Sequence, residues 1–354
     1  MIYLSSVLDP FRLRLHSTAP WRVTESARLF GYSRQALETG LQLLGIKAGE
    51  RVLLPDFICD VVMVPFHRLG IEVDFYPLDD QLTPLFDEVE KRIRSTTRAL
   101  LVPNYFGFPQ PWERIRELCD ARALWYIEDN AGGFLSRAGQ RPLGSFGDIS
   151  VTSVWKTLPA RNGAILGVNH PIAKHALEQL AAVAPQAFES GSARHYVKRL
   201  ARWLDIATPL PLSGLRQARP EAPEPGSGED ATAPYAMDRG GRWLLNHYDL
   251  HGEAERRRSH YEAWLAKLSA SKAALLFPTL CAGTVPLALP VYIEDQGPWL
   301  RWGSDHGVEI RTWPTLPARV SARVPAAVRR RERMLLLPLN AVPRASALLA
   351  LPGS

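Results

Sequence analysis

Gly144-Ser145-Phe146-Gly147-Asp148-Ile149-Ser150-Val151-Thr152-Ser153-Val154-Trp155-Lys156 is the stretch on which the fold of this chain turns. Ile149–Val154 is a β-rich apolar run long enough for one buried strand, and a lysine follows it almost at once. The polar turn Arg161-Asn162-Gly163 then leads into Ala164–Val168, so Lys156 sits inside a hairpin-like element. Upstream, Ala123–Ile127 reads as another buried strand, and it ends in Glu128-Asp129.

Working outward, residues 30 to 170 alternate between the two periodicities. Helical spacing at Arg34–Leu44, Cys59–Arg68, Leu85–Ile93 and Trp112–Ala121 is interleaved with strands at Arg51–Leu54, Ile71–Tyr76 and Ala99–Pro103. That alternation predicts an α/β fold, a mostly parallel sheet between helices. Ligands in such folds gather beyond the carboxyl ends of the strands, where Asn104, Asp129 and Lys156 all fall. Residues 217–233 are rich in Pro, Gly and Glu, which predicts a loop or linker. Beyond it, Glu253–Leu268 has the pattern of an amphipathic helix. Short strands follow near Ala274–Phe277, Pro286–Tyr292, Val308–Thr312 and Met334–Pro338. We therefore expect a large domain over residues 1–245 and a small C-terminal α/β domain over 246–354.

The 354 residues are 46% hydrophobic and 22% charged, the composition of a globular protein with room for a sizeable core. No stretch approaches the length needed to span a bilayer, and the N-terminal residues lack the apolar run of a signal peptide. Cys59, Cys119 and Cys281 form no CxxC pair, which points to a reduced, cytoplasmic setting. The net charge of +6 comes mainly from arginine. The runs Arg256-Arg257-Arg258 and Arg329-Arg330-Arg331 have acidic neighbours and read as solvated helix faces rather than a nucleic-acid surface.

A lone lysine after a strand is ordinarily a surface charge, and a lone strand-terminal aspartate is ordinarily a cap. Together, at the same sheet edge, they are what pyridoxal 5′-phosphate (PLP) requires: an amine to take the aldehyde and a carboxylate to hold the pyridinium nitrogen protonated. Glu128, next to Asp129, points to the other side of the strand. Ser33 reads as an N-cap at the start of the first clear helix, a place suited to a phosphate. Thr152 or Ser153 offers a further hydroxyl, and Asn104 or Tyr105 could reach the ring or its 3′ oxygen. No GxGxxG follows an early strand, which argues against a nicotinamide enzyme. No His/Asp/Glu cluster has metal-ligand spacing.

In chain order these segments are Ser33-Arg34-Gln35-Ala36-Leu37, Leu53–Cys59, Asn104-Tyr105-Phe106-Gly107, Ile127-Glu128-Asp129-Asn130-Ala131, Gly144–Asp148, and Lys156 with Asn162-Gly163-Ala164. The order resembles the DegT/DnrJ/EryC1/StrS family of PLP-dependent aminotransferases, fold type I, from about residue 30 to 170 and more faintly through Arg257–Leu268. The resemblance implies that Lys156 is the Schiff-base lysine and proton shuttle, and that Asp129 holds the pyridinium nitrogen. It further implies a phosphate cradle of Ser33 and Arg34 with Thr152 or Ser153, and Cys59, Asn104 and Ala131 near the ring. Members of this family take an amino donor such as glutamate and a keto acceptor, often a nucleotide-linked sugar. They work as homodimers with shared active sites. Gly132 stands where the family usually has Gln or His, and Arg311-Thr312-Trp313-Pro314 stands near the usual C-terminal substrate motif. Arg161, Arg311 and Trp313 are candidate substrate contacts. Other classes compatible with the same residues are a PLP-dependent lyase or dehydratase, and a non-catalytic PLP-fold scaffold or regulatory protein.

Overall fold

The computed structural model describes residues 2–16, 26–171, 186–187, 192–208, 235–268, 273–348 and 350–352. The expected linker at 217–233 lies outside the described residues.

A seven-stranded sheet organises the first half of the chain. Its strands are β1 (Ala27–Phe30), β2 (Arg51–Pro55), β3 (Glu72–Tyr76), β4 (Thr97–Pro103), β5 (Trp125–Asp129), β8 (Ile149–Ser153) and β9 (Ala164–Val168), in the order β1-β9-β8-β5-β4-β2-β3. The two-residue ladder of β6 (Arg137–Ala138) and β7 (Arg141–Pro142) stands apart from it. The pairings from β8 through β3 are parallel, and β9 runs antiparallel between β1 and β8. Val52, Leu53 and Leu54 are all buried, as a central strand covered on both faces requires.

One face carries α1 (Ser33–Leu43) and α2 (Met63–Leu69). There Ala36, Leu37, Leu41 and Phe66 pack with Leu54, Leu101, Ile127 and Val151. The other face carries α3 (Phe86–Glu90) and α4 (Trp112–Ala121), whose core runs on without a break into the C-terminal half. In that half a small sheet of β12 (Ala274–Leu275), β13 (Leu289–Tyr292), β15 (Met334–Leu337) and β14 (Arg311–Thr312) is antiparallel throughout. The long helix Leu250–Leu268, here α7, lays Tyr261 and Trp264 against it, fully buried. Each such aromatic contributes about 2–3 kcal/mol by leaving water. The intervening helices are α5 (Ser192–Ala207) and α6 (Arg239–His247), and a parallel ladder joins β10 (Gln186–Ala187) to β11 (Tyr235–Ala236).

The chain's first residues return to the C-terminal half. Ile2 bridges Val308, and Asn340 Nδ2 donates to the carbonyls of Tyr3 and Ser5, both at 2.7 Å. The arginine run at 256–258 corrects an expectation. Arg257 is 1% exposed and Arg256 is mostly covered, because both pair with the buried Glu253 inside α7's packed face.

Candidate active site

Strand alternation sorts the candidate residues before any contact is considered. Ile127 and Val151 belong to the core under α1, so Asp129 and Ser153, two residues further along, point to that same face. Register places Asp129 beside Val151 on the neighbouring strand. Asp129 is the last residue of β5 and is half-buried. Its Oδ1 accepts the Ala131 N–H at 3.0 Å. Burial pushes its carboxyl above the usual carboxylate range, while the Ala131 amide and the charge of Lys156 pull the other way.

Glu128 faces the opposite side, and its chemistry is structural. Its carboxylate accepts the backbone N–H groups of Gly144, Phe146 and Gly147 at 2.6, 2.9 and 3.1 Å and the Asn104 amide at 2.8 Å. It pins the loop that feeds β8. Asn104 Nδ2 also reaches Asn130 Oδ1 at 3.3 Å, so its donor group points into this network rather than toward Asp129.

Lys156 sits in a tight turn between β8 and β9. The N–H groups of Thr157 and Leu158 close on the Val154 carbonyl, and Val154 N–H donates to Gly163 O at 2.9 Å. Val154 and Leu158 are buried with Met237, Leu244 and Leu245, which fixes both ends of the turn. Gly163 has φ +143°, and a Cβ there would lie 2.6 Å from Met237 Cε, so glycine alone fits. The lysine itself is half-buried and has no recorded hydrogen bond or ion pair among the described residues. Its charge is felt at Asp129 and at Cys59, whose thiol is raised by burial and lowered in part by Lys156.

Ser33 differs from its expected role. Tyr32 is the N-cap and Ser33 the first helical residue, because Tyr32 has the extended backbone and the Gln35 side chain accepts the Tyr32 N–H. The Ser33 hydroxyl is thereby turned to Ser153, with the two Oγ atoms 2.5 Å apart. Thr152 lies on the other face, where its Oγ1 accepts from Asn130 Nδ2 at 3.2 Å. The pleat therefore separates the two candidate hydroxyls, and only Ser153 joins the helix start. The Arg34 guanidinium lies 4.5 Å from the Tyr32 ring centroid.

Gly132 follows Ala131 against the turn at 104–107. A Cβ at Gly132 would lie 3.2 Å from Phe106 N, and Phe106 itself has φ +55°. A side chain at this position would press on the Phe106 backbone. Next to Cys59, Trp313 stacks on Phe57 with centroids 4.6 Å apart and planes at 24°, and Tyr105 Oη donates to Phe57 O at 2.5 Å. Phe57 escaped the sequence reading, since an aromatic after a strand reads equally well as core. Arg311 is paired with Glu309, and Arg161 is half-buried in the lysine loop. Asp56 was also missed: it is 4% exposed, with Arg330 at 3.8 Å, and burial pushes its carboxyl up to about 6 against the pull of Arg330 and Arg92.

Comparison with known proteins agrees with this geometry. Residues 32–185 match the model of the DegT/DnrJ/EryC1/StrS aminotransferase family. The chain is 31% identical over 137 residues to the GDP-perosamine synthase of Escherichia coli O157:H7, covering 38% of each chain. It is 28% identical over 174 residues to a dTDP-4-dehydro-2,3,6-trideoxy-D-glucose 4-aminotransferase of Saccharopolyspora spinosa, 48% of this chain and 44% of that one. The chain thus spans less than half the length of the curated relatives it matches. An aminotransferase, TlmJ, of Streptoalloteichus hindustanus superposes with a TM-score of 0.68 at 22% identity, over 92% of this chain and 83% of its own. The architecture is that of the PLP-dependent aminotransferases, fold type I. The matched residues 32–185 carry the strand-end aspartate, the serine pair and the turn lysine, so the resemblance to the DegT/DnrJ/EryC1/StrS aminotransferase family falls on the part of the chain that builds this site.

Proposed function

We propose that this protein is a PLP-dependent aminotransferase that moves an amino group from a donor such as glutamate to a keto acceptor. The observation that carries this reading is the shared face of Asp129, Ser153 and Ser33, with the Lys156 turn following directly on the strand that ends in Ser153. The residues present fit the cofactor. Lys156 is uncommitted among the described contacts, and Asp129 has one recorded hydrogen bond, which leaves carboxylate oxygen to accept from a ring N–H. The start of α1 and two adjoining hydroxyls suit a phosphate. When bound, PLP supplies the electron sink for breaking a bond at the amino-bearing carbon.

The remaining roles belong to the chain. Lys156 Nζ would hold the cofactor and would serve as the group that moves the proton at the substrate carbon. Asp129 keeps the ring nitrogen protonated, and Ser33 and Ser153 orient the phosphate with Arg34 nearby. Cys59 and Ala131 would border the ring, on the side where Phe57 stacks on Trp313. Asn104 and Thr152 act behind this face through Glu128 and Asn130. The names of the relatives make a nucleotide-linked keto sugar the acceptor class to test first. We further assign a homodimer with shared sites and a cytoplasmic location. No described helix is long and apolar enough to cross a membrane.

The test is direct. The protein mixed with PLP should absorb visible light, and borohydride should bleach the band and fix the cofactor on the peptide containing Lys156. In a separate, unreduced sample glutamate should discharge the band, and a keto acceptor should restore it. A protein that stays colourless with added PLP would overturn the reading. A band that no amino donor discharges would move it to another PLP reaction.

A further inference from the structure

Arg257 is a cation inside the protein, 1% exposed, on a helix that supplies no strand-end residue to the site. Burying a guanidinium costs several kcal/mol, as an order of magnitude, unless its charge and all its donors are answered. Here they are answered in three directions. Nε donates to Glu253 Oε1 at 2.7 Å, Nη1 to the Leu287 carbonyl at 3.1 Å, and Nη2 to the Thr157 carbonyl at 3.3 Å. Thr157 is the residue after Lys156. Leu287 in turn donates its N–H to the Phe106 carbonyl at 2.9 Å, in the turn that presses on Gly132.

We propose that Arg257, braced by Glu253, is a positioning residue that holds the Lys156 turn in register with the Phe106 turn, and that Ser6 is its second clamp. The inference rests on the reading of Lys156 given above. Inside the turn, the N–H groups of Thr157 and Leu158 both close on Val154, so the carbonyls of 157 and 158 point outward. Arg257 takes the first, and Ser6 Oγ donates to the second at 2.7 Å. A single carbonyl needs only a hydroxyl, as Ser6 demonstrates. The rigid fork of an arginine is required where three segments must be fixed to one another. Glu253 also binds Arg256, which reaches the carbonyls of Leu339 and Asn340, and Asn340 holds the chain at Tyr3 and Ser5, beside Ser6. Both clamps are thus tied to one buried network.

The experiment compares the wild-type protein with a Glu253→Gln/Arg257→Gln double variant and with Ser6→Ala. The double variant removes one charge of each sign, so the cluster's net charge is unchanged. Each protein is mixed with PLP under conditions where it is fully folded, judged by wild-type hydrogen exchange in β4 and β5. Two quantities are read: the rate of borohydride-fixable attachment at the Lys156 peptide, and the pH at which the visible band is half lost. Hydrogen exchange of residues 154–163 is followed without cofactor. The proposal expects faster exchange in that segment, attachment slowed about tenfold or more in the double variant, and a displaced pH midpoint. Ser6→Ala should shift the same quantities by less, and it carries the test alone if the double variant does not fold. Folded variants that attach PLP at the wild-type rate and pH midpoint overturn the positioning role while leaving the aminotransferase reading intact. A wild-type protein that never fixes PLP at Lys156 overturns both.

Discussion

The hydroxyls of Ser33 and Ser153 meet at 2.5 Å, joining the first residue of α1 to the last residue of β8 across 120 positions of sequence. The contact sets a helix start against a strand end on one face of the sheet, and Thr152, one residue away, is excluded from it.

This pairing makes a prediction about the phosphate. Ser153→Ala should weaken PLP retention by about 1–2 kcal/mol, roughly 5- to 30-fold, and Ser33→Ala should add little further, because the two hydroxyls act as one unit. Thr152→Ala should instead lower stability through Asn130. Equilibrium dialysis against PLP, with pyridoxal lacking the phosphate as a control, checks the serine pair, and denaturant titration checks Thr152→Ala. Equal loss with pyridoxal would contradict the phosphate assignment.

Lys156→Ala should abolish the visible band and the borohydride-fixed peptide. Because the side chain makes no recorded bond, unfolding stability should stay within about 0.5 kcal/mol of wild type. Denaturant titration and peptide mapping on the same sample test the two halves together.

Asp129 and Glu128 are adjacent carboxylates with opposite expected phenotypes. Asp129→Asn should cut transamination by about 10²–10³-fold. Its folded pKa is raised, so the ionised group costs stability at neutral pH, and the amide should leave the protein as stable or more so. Burial raises the Glu128 carboxyl as well, against the pull of its four hydrogen bonds, yet Glu128→Gln should cost on the order of 3 kcal/mol, since an amide cannot accept from three backbone donors and Asn104 at once. Melting curves beside steady-state rates separate the pair.

Asp56 predicts a pH dependence of stability. Its folded pKa of about 6 lies above the ordinary value of 3.8, so the folded state binds this proton more tightly than the unfolded one. The contribution is fully present below pH 3.8 and is lost as pH rises through 6. Its size is on the order of 3 kcal/mol. Asp56→Asn should flatten the stability profile across that window and raise stability at neutral pH. An unchanged slope in urea titrations across the window would rule out Asp56 as its source.

The sequence by itself determined the order of strands and helices from 30 to 170, and with it which residues arrive at the carboxyl edge of the sheet. Those properties follow from local periodicity, which a chain displays before it folds. It also marked Lys156 and Asp129 as a pair, since two strand ends of a parallel sheet share an edge. Only the tertiary structure separated Ser153 from Thr152, because the choice depends on which face α1 covers. Only packing turned the arginine run at 256–258 inward: a charged run looks solvated until a buried partner such as Glu253 is placed beside it. The same holds for Gly132, which the backbone of Phe106, 26 residues earlier in the chain, approaches closely. What depends on neighbours along the chain was legible, and what depends on neighbours across it was not.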